Sequence, residues 1–166
     1  GLGAWRNAQQ QFAAYLLNGV DQPDFPEARM QSGLQSLRAA LDATPKQEEP
    51  GAWAEMANWY GYALGLRGKR ENRIESFNEA LPFLREAVAT FATREDELSA
   101  AHTRDSLCVA LTGLGRMEKR GDLLAEAIDN CSQSVAYMQT NKIEDVLPIA
   151  RTNLADAQKA LAELNQ

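Results

Sequence analysis

The sequence matches itself at an offset of 47 residues. Without gaps, residues 54–100 align with residues 101–147, and twelve positions are identical. They are Ala54/Ala101, Ala63/Ala110, Leu64/Leu111, Gly68/Gly115, Glu71/Glu118, Arg73/Arg120, Glu79/Glu126, Ala80/Ala127, Val88/Val135, Ala89/Ala136, Thr93/Thr140 and Glu97/Glu144. Chance would give on the order of three, and a period of about 20 to 50 residues is typical of repeat architectures. The repeat therefore predicts a stack of similar units, each packed against its neighbours.

The period extends in both directions. Leu107 corresponds to Leu154, and Leu84 corresponds to Leu37. Only the first segment shifts, because "AYLLNG" (14–19) matches "ALGLRG" (63–68) at an offset of 49, and we expect the loop "DQPDFP" to hold the difference. We therefore divide a single domain, residues 1–166, into repeats of approximately 1–50, 51–97 and 98–144 and a capping helix at 145–166.

Each period contains two stretches with apolar or small residues at i, i+3, i+4 and i+7, the spacing of one helical face. No β-branched run of period two bounded by turns occurs, so we predict an all-α fold of about seven helices. The first helix of each pair, called A, spans 3–18, 52–67, 97–114 and 145–163, and the second, called B, spans 26–43, 72–92 and 119–139. Gly68 and Gly115 are expected at the C′ positions of their A helices, where positive φ is common.

Two prolines test the helix boundaries. Pro148 follows Asp145, a favourable N-cap, and so falls in a first turn, where the missing N–H costs nothing. Pro82 lies well inside a B pattern, after Ser76-x-x-Glu79, which has the form of a capping box. The helix there either begins near Ser76 or is kinked at Pro82.

Composition limits the classes of partner. Seventeen Lys and Arg against 23 Asp and Glu give a net charge of −6, which disfavours binding to nucleic acid. No apolar run approaches the ~18 residues of a membrane helix, so we expect no membrane partner and a cytoplasmic location. Cys108 and Cys131 lie inside helical patterns without a CxxC or Cys/His pair, and we interpret them as free buried thiols rather than a disulfide or metal pair.

The A helices resemble those of the tetratricopeptide repeat family. The resemblance rests on Tyr60-Gly61-Tyr62-Ala63-Leu64 followed by Gly68, and on Leu107-Cys108-Val109-Ala110-Leu111 followed by Gly115. The common unit of that family has about 34 residues, so this chain looks like the longer bacterial variety, in which Trp-Ala opens the A helix as Trp53-Ala54 does here.

The resemblance implies a right-handed superhelix of antiparallel helix pairs, an α-α solenoid, whose A helices line a concave groove for a peptide or a partner helix. Mapped residue by residue, the groove positions are Arg6, Gln9, Ala13, Asn58, Tyr62, His102, Asp105, Val109, Thr152, Asp156 and Lys159. They are mostly polar, as expected for a surface left open to a ligand. Tyr62 would be the anchor, because a rigid ring gives much contact area for little lost entropy.

Little in the sequence indicates catalysis. His102 and Asp105 could hold a metal, but no third ligand stands near them. No nucleotide-binding or nucleophile motif occurs, so we expect neither catalytic activity nor a cofactor. The acidic runs at 47–50 and 94–97 and the basic cluster at 67–73 are also explained by helix ends, which favour these charges.

We therefore predict a protein–protein interaction module, part of a larger scaffold or regulatory protein, that binds a peptide or partner helix in its groove. One alternative is a self-association domain that forms homo-oligomers. Another is a helical small-molecule sensor or enzyme, which a deep apolar pocket with inward charged groups would favour. Trp53 and Trp59 are expected to pack between repeats, with a groove-facing role as the alternative.

Overall fold

The computed structural model describes residues 1–20 and 22–166. The described residues form seven α-helices and no β-strand, as the sequence predicts. The helices are α1 (Leu2–Leu17), α2 (Glu27–Asp42), α3 (Pro50–Glu71), α4 (Ile74–Thr93), α5 (Glu97–Glu118), α6 (Gly121–Thr140) and α7 (Leu147–Leu164). Among the described residues, no helix combines the length and apolar character needed to cross a membrane.

Neighbouring helices pack against one another along the chain, which buries the apolar stripes read from the sequence. The odd-numbered helices also pack against each other, as α1 with α3, α3 with α5, and α5 with α7. In the described part of the chain, the backbones of α2, α4 and α6 do not approach one another closely, although the Arg85 side chain on α4 pairs with Glu126 on α6. The odd-numbered helices, predicted as A helices, therefore form one layer and the even-numbered helices another.

The 47-residue period is visible in the backbone. Helices α5 and α6 begin and end 47 residues after α3 and α4. The turns repeat as well, since Asn72 and Lys119 are both left-handed, with φ of 50° and 53°. The next N–H groups, of Arg73 and Arg120, donate to the carbonyls of Gly68 and Gly115 at 3.0 and 2.9 Å. The two central helix pairs thus share their helix ends and their turns.

The repeated glycines have a different role from the one predicted. Gly68 and Gly115 lie inside α3 and α5, and the left-handed residues follow four positions later. A Cβ at Gly68 would come within 2.9 Å of the Phe77 ring, and one at Gly115 within 2.8 Å of Leu124. The prediction of C′ glycines is therefore wrong, because these glycines let a side chain of the following helix approach the backbone.

The structure confirms the predicted helix boundary near Pro148 and corrects the predicted caps of α4 and α7. Pro148 lies in the first turn of α7 as predicted, but the N-cap is Val146 rather than Asp145. Helix α4 begins at Ile74 and continues through Pro82, which is exposed on the surface of the helix. Ser76 is already inside α4, where its Oγ accepts a hydrogen bond from Arg67 Nε at 2.8 Å. The predicted capping box therefore does not form.

The two cysteines form a disulfide, which corrects the prediction of free thiols. Cys108 on α5 and Cys131 on α6 are fully buried, with Cα atoms 5.5 Å apart. They occupy the positions that Gly61 and Leu84 hold one period earlier, where a Cβ on Gly61 would meet Leu84 at 2.5 Å. The disulfide forms because the helix pair brings the two positions into contact.

The first helix keeps the period of 47 residues rather than the offset of 49. Its buried residues, Ala13 and Leu17, lie 47 positions before Tyr60 and Leu64, which are buried on α3. An offset of 49 would instead equate Ala13 with Tyr62, which is 38% exposed. The match of "AYLLNG" with "ALGLRG" therefore does not reflect how α1 packs. The loop predicted to absorb the shift includes residue 21, which lies outside the described residues.

Candidate functional site: an open face on the odd-numbered helices

A pocket of about 830 Å³ lies between α3 and α5 and extends to the start of α7. Helix α3 contributes Glu55, Asn58, Trp59 and Tyr62, whose spacing places them on one helical face. Helix α5 contributes His102 and Asp105 among others. The opposite faces of both helices are buried, so the pocket lies on the side of these helices that no neighbouring helix covers.

The pocket is one part of a larger surface, which we call the open face. It consists of four rows of positions spaced by 47 residues on α1, α3, α5 and α7, and none of the sixteen side chains is buried. The rows are Ala8, Glu55, His102, Ile149; Gln11, Asn58, Asp105, Thr152; Phe12, Trp59, Ser106, Asn153; and Tyr15, Tyr62, Val109, Asp156. The adjacent row Ala13, Tyr60, Leu107 is buried.

Ten of the eleven predicted groove residues lie in four different places in the structure. Asn58, Tyr62, His102 and Asp105 line the main pocket together. Val109 and Asp156 line a second depression of about 40 Å³ between α5 and α7. Thr152 and Lys159 are exposed on α7, and Arg6 and Gln9 lie on α1, outside both.

The first helix presents different residues from those predicted. Ala13 is only 1% exposed, so its assignment to the groove is wrong. Arg6 is half-buried and donates to Glu49 at 2.6 Å, at the start of α3. Because α1 follows the 47-residue period, its open-face residues are Ala8, Gln11, Phe12 and Tyr15.

Sequence reasoning missed an aromatic pair that occurs twice. Phe12 and Tyr15 on α1 precede Trp59 and Tyr62 on α3 by 47 residues. Phe12 and Tyr15 are 50% and 68% exposed, while the Trp59 and Tyr62 rings meet edge to face at 6.3 Å. Trp53 is buried against Phe83, as expected, but Trp59 faces the pocket. Extending the 47-residue offset to α1 would have revealed this pair in the sequence.

Asp105 is a carboxylate held in the pocket without a basic partner. Asn153 Nδ2 donates to both of its oxygens, at 3.1 and 3.0 Å. Burial raises the pKa of Asp105 above its ordinary value, and this effect is opposed by the Asn153 hydrogen bond and by His102. No Lys or Arg of the described chain forms an ion pair with Asp105.

Asn58 stands one period before Asp105 and lines the same pocket. Its Oδ1 atom is buried and receives no hydrogen bond from the described residues. Unsatisfied buried acceptors are rare in folded proteins and costly. The pocket therefore places two oxygen acceptors of the same row, one on α3 and one on α5, with capacity for further donors.

The basic cluster near residue 67 is used within the fold. Arg70 donates to the carbonyls of Val20, Gln22, Pro23 and Phe25 in the loop between α1 and α2. Arg116 pairs with Asp156. This cluster therefore leaves no continuous basic surface for an acidic partner.

The acidic runs are also occupied. Asp96 caps α5 by accepting from the Ser99 N–H at 3.1 Å, and Glu49 pairs with Arg6. In the described chain, no three His, Cys, Asp or Glu side chains converge as metal ligands. His102 and Asp105 both line the pocket.

Compared with known proteins, the chain matches no family model, no curated protein and no solved structure.

Proposed function

We propose that this protein is a protein–protein interaction module that binds a peptide or partner helix on its open face. In this proposal the helix pairs form a right-handed superhelix of the tetratricopeptide type, and the open face is its concave side. The layer of mutually packed odd-numbered helices supports this arrangement. The net charge of −6 supports a protein partner rather than a nucleic acid.

The observation that carries the proposal is the contrast between adjacent rows on the same helices. The row of Ala13, Tyr60 and Leu107 is buried, while all sixteen open-face positions are at least partly accessible. They include four aromatic side chains on α1 and α3 and carboxylates on α3, α5 and α7. Aromatic anchors beside hydrogen-bonding groups are typical of surfaces that bind peptides.

A displayed library of random 12-residue peptides tests this function. Peptides selected on the protein should bind it in calorimetry, and Tyr62→Ala should weaken them about 10-fold or more, as truncation of an interface anchor does. Tyr137→Ala is the matched control, because Tyr137 lies on α6 and does not line the pocket. Equal loss of binding with both variants, or no loss with Tyr62→Ala, would contradict the proposal.

A small-molecule sensor is the second candidate, because a pocket of about 830 Å³ falls within the usual range for small ligands. If the protein is such a sensor, a small compound should raise the melting temperature of the protein without competing with any selected peptide. The third candidate, self-association, predicts a dimer at micromolar concentration in ultracentrifugation. Loss of that dimer with Phe12→Ala would place the contact on the open face.

A further inference from the structure

We propose that the pocket between α3 and α5 binds the guanidinium group of an arginine side chain in the partner peptide. This inference rests on the proposed function and specifies the chemistry of the anchor residue. Asn58 and Asp105 would accept its hydrogen bonds, and Trp59 and Tyr62 would contact the face of its planar group.

The first argument is the excess of acceptors. Asn58 Oδ1 is buried and receives no hydrogen bond from the described residues. The Asp105 carboxylate accepts from a single nitrogen, Asn153 Nδ2, although a carboxylate can accept about four hydrogen bonds. A ligand that donates several hydrogen bonds would satisfy both groups, whereas a ligand that only accepts would satisfy neither.

The second argument is the charge in the pocket. Glu55, Asp96 and Asp105 line it, together with Arg94 and His102. The guanidinium of Arg94 lies over Gly51, roughly 10 Å along α3 from Asn58 at about 1.5 Å per residue. Burial without a basic partner raises the pKa of Asp105, so a bound cation would stabilise its ionised form. The part of the pocket near Asp105 therefore carries a carboxylate that no Lys or Arg of the described chain pairs with.

The third argument is the aromatic wall. Trp59 and Tyr62 line the same pocket, with their rings at 88° to each other. Cations are attracted to the faces of such rings, and arginine also stacks on them through its flat guanidinium. A lysine ammonium offers three donors at one point, whereas the guanidinium offers five donors in a plane. Two acceptors on different helices beside an aromatic wall therefore favour arginine.

The test compares peptides that differ at one atom. Peptides are selected from the random library on the wild-type protein, and each arginine is replaced in turn by citrulline, which has the same shape without the charge. We expect one arginine whose replacement weakens binding about 10- to 100-fold, the usual range for hydrogen bonds to a charged group. Replacing the same arginine by lysine should also weaken binding.

The protein variants complete the test. Asp105→Asn should remove most of the difference between the arginine and citrulline peptides. The matched control is Asp129→Asn, since Asp129 also accepts from a side-chain amide, that of Gln133, but lies exposed on α6. In this control the difference between the two peptides should remain.

The outcomes separate the two proposals. If the selected peptides need Tyr62 for binding but tolerate citrulline at every arginine, the proposed arginine anchor is wrong. The open face would then still be a binding surface. An arginine effect that persists in Asp105→Asn would also overturn it. If no peptide depends on Tyr62, the proposed function itself fails.

Discussion

At the scale of single residues, Asp105 is in an environment that is unfavourable for folding. Its carboxylate is largely removed from water. Asn153 and His102 compensate for this burial, and no Lys or Arg of the described chain pairs with it. Groups selected for stability alone rarely have such surroundings, whereas binding residues often do. The position was predicted from the sequence as a groove residue, but its burial and its bond to Asn153 depend on α7, which no local pattern reveals.

We predict that Asp105→Asn stabilises the free protein at neutral pH. Because the pKa of Asp105 is raised in the folded state, its favourable contribution is present below the unfolded pKa and is lost as the pH rises through the folded pKa. The variant retains an oxygen that can accept from Asn153 but has no charge to bury. Thermal melts between pH 3 and pH 8, about the range of carboxyl titration, should show its advantage over the wild type increasing with pH.

Asp129→Asn serves again as the control, because it makes the same replacement at an exposed position, and the stabilisation by Asp105→Asn should exceed its effect. An Asp105→Asn variant that loses stability as the pH rises, relative to the wild type, would contradict the prediction. It would mean that the ionised carboxylate makes a stabilising contact in the free protein.

A second prediction concerns a glycine at the contact of three helices. Phe77 on α4 packs against both Gly68 on α3 and Gly113 on α5. Gly113→Ala should destabilise the protein by about 1–3 kcal/mol, the usual cost of overpacking. Gly65→Ala is the control, because the nearest side-chain atom to its Cβ would be 3.9 Å away and alanine favours the helix. Urea denaturation should show opposite shifts, and equal shifts would contradict the packing around Phe77.

At the scale of helices, the disulfide joins α5 to α6 within the third predicted repeat. The sequence contained a signal for it: Cys108 lies 11 residues before Lys119, and Cys131 lies 11 residues after Arg120, so an antiparallel pair brings them face to face. Motif spacing alone missed the disulfide, because the two cysteines face each other only if the turn between the helices lies midway between them. The disulfide is at odds with the predicted cytoplasmic location, since cytosolic thiols are normally kept reduced.

We predict that the oxidised protein loses about 3 kcal/mol of stability on reduction, the value expected for closing a loop of about this length. Urea denaturation with and without reductant measures the loss. The double variant Cys108→Ala/Cys131→Ala should be insensitive to reductant. Alkylation of the oxidised protein, unfolded without reductant, should add no label; two labels per chain would contradict the disulfide.

At the scale of the whole molecule, the sequence predicted the number, type and order of the helices because the 47-residue period governs all three. It also predicted four residues of the pocket, Asn58, Tyr62, His102 and Asp105. It predicted the bounds of the first helix but assigned the wrong residues to its open face, because a match of letters near Gly19 outweighed the packing of Ala13 and Leu17. Burial against another helix, rather than local similarity, determines which face of a helix stays open.

The contact of Arg70 with the first loop bears on how the chain folds during synthesis. Four carbonyl groups between Val20 and Phe25 receive their hydrogen bonds from a side chain about 50 positions later. Since a nascent chain leaves the ribosome with its amino terminus first, α1 and α2 emerge before Arg70 does. The first helix pair must therefore wait for α3 before its connecting loop can be completed, and the amino-terminal end of the open face is finished only when the second repeat has been made.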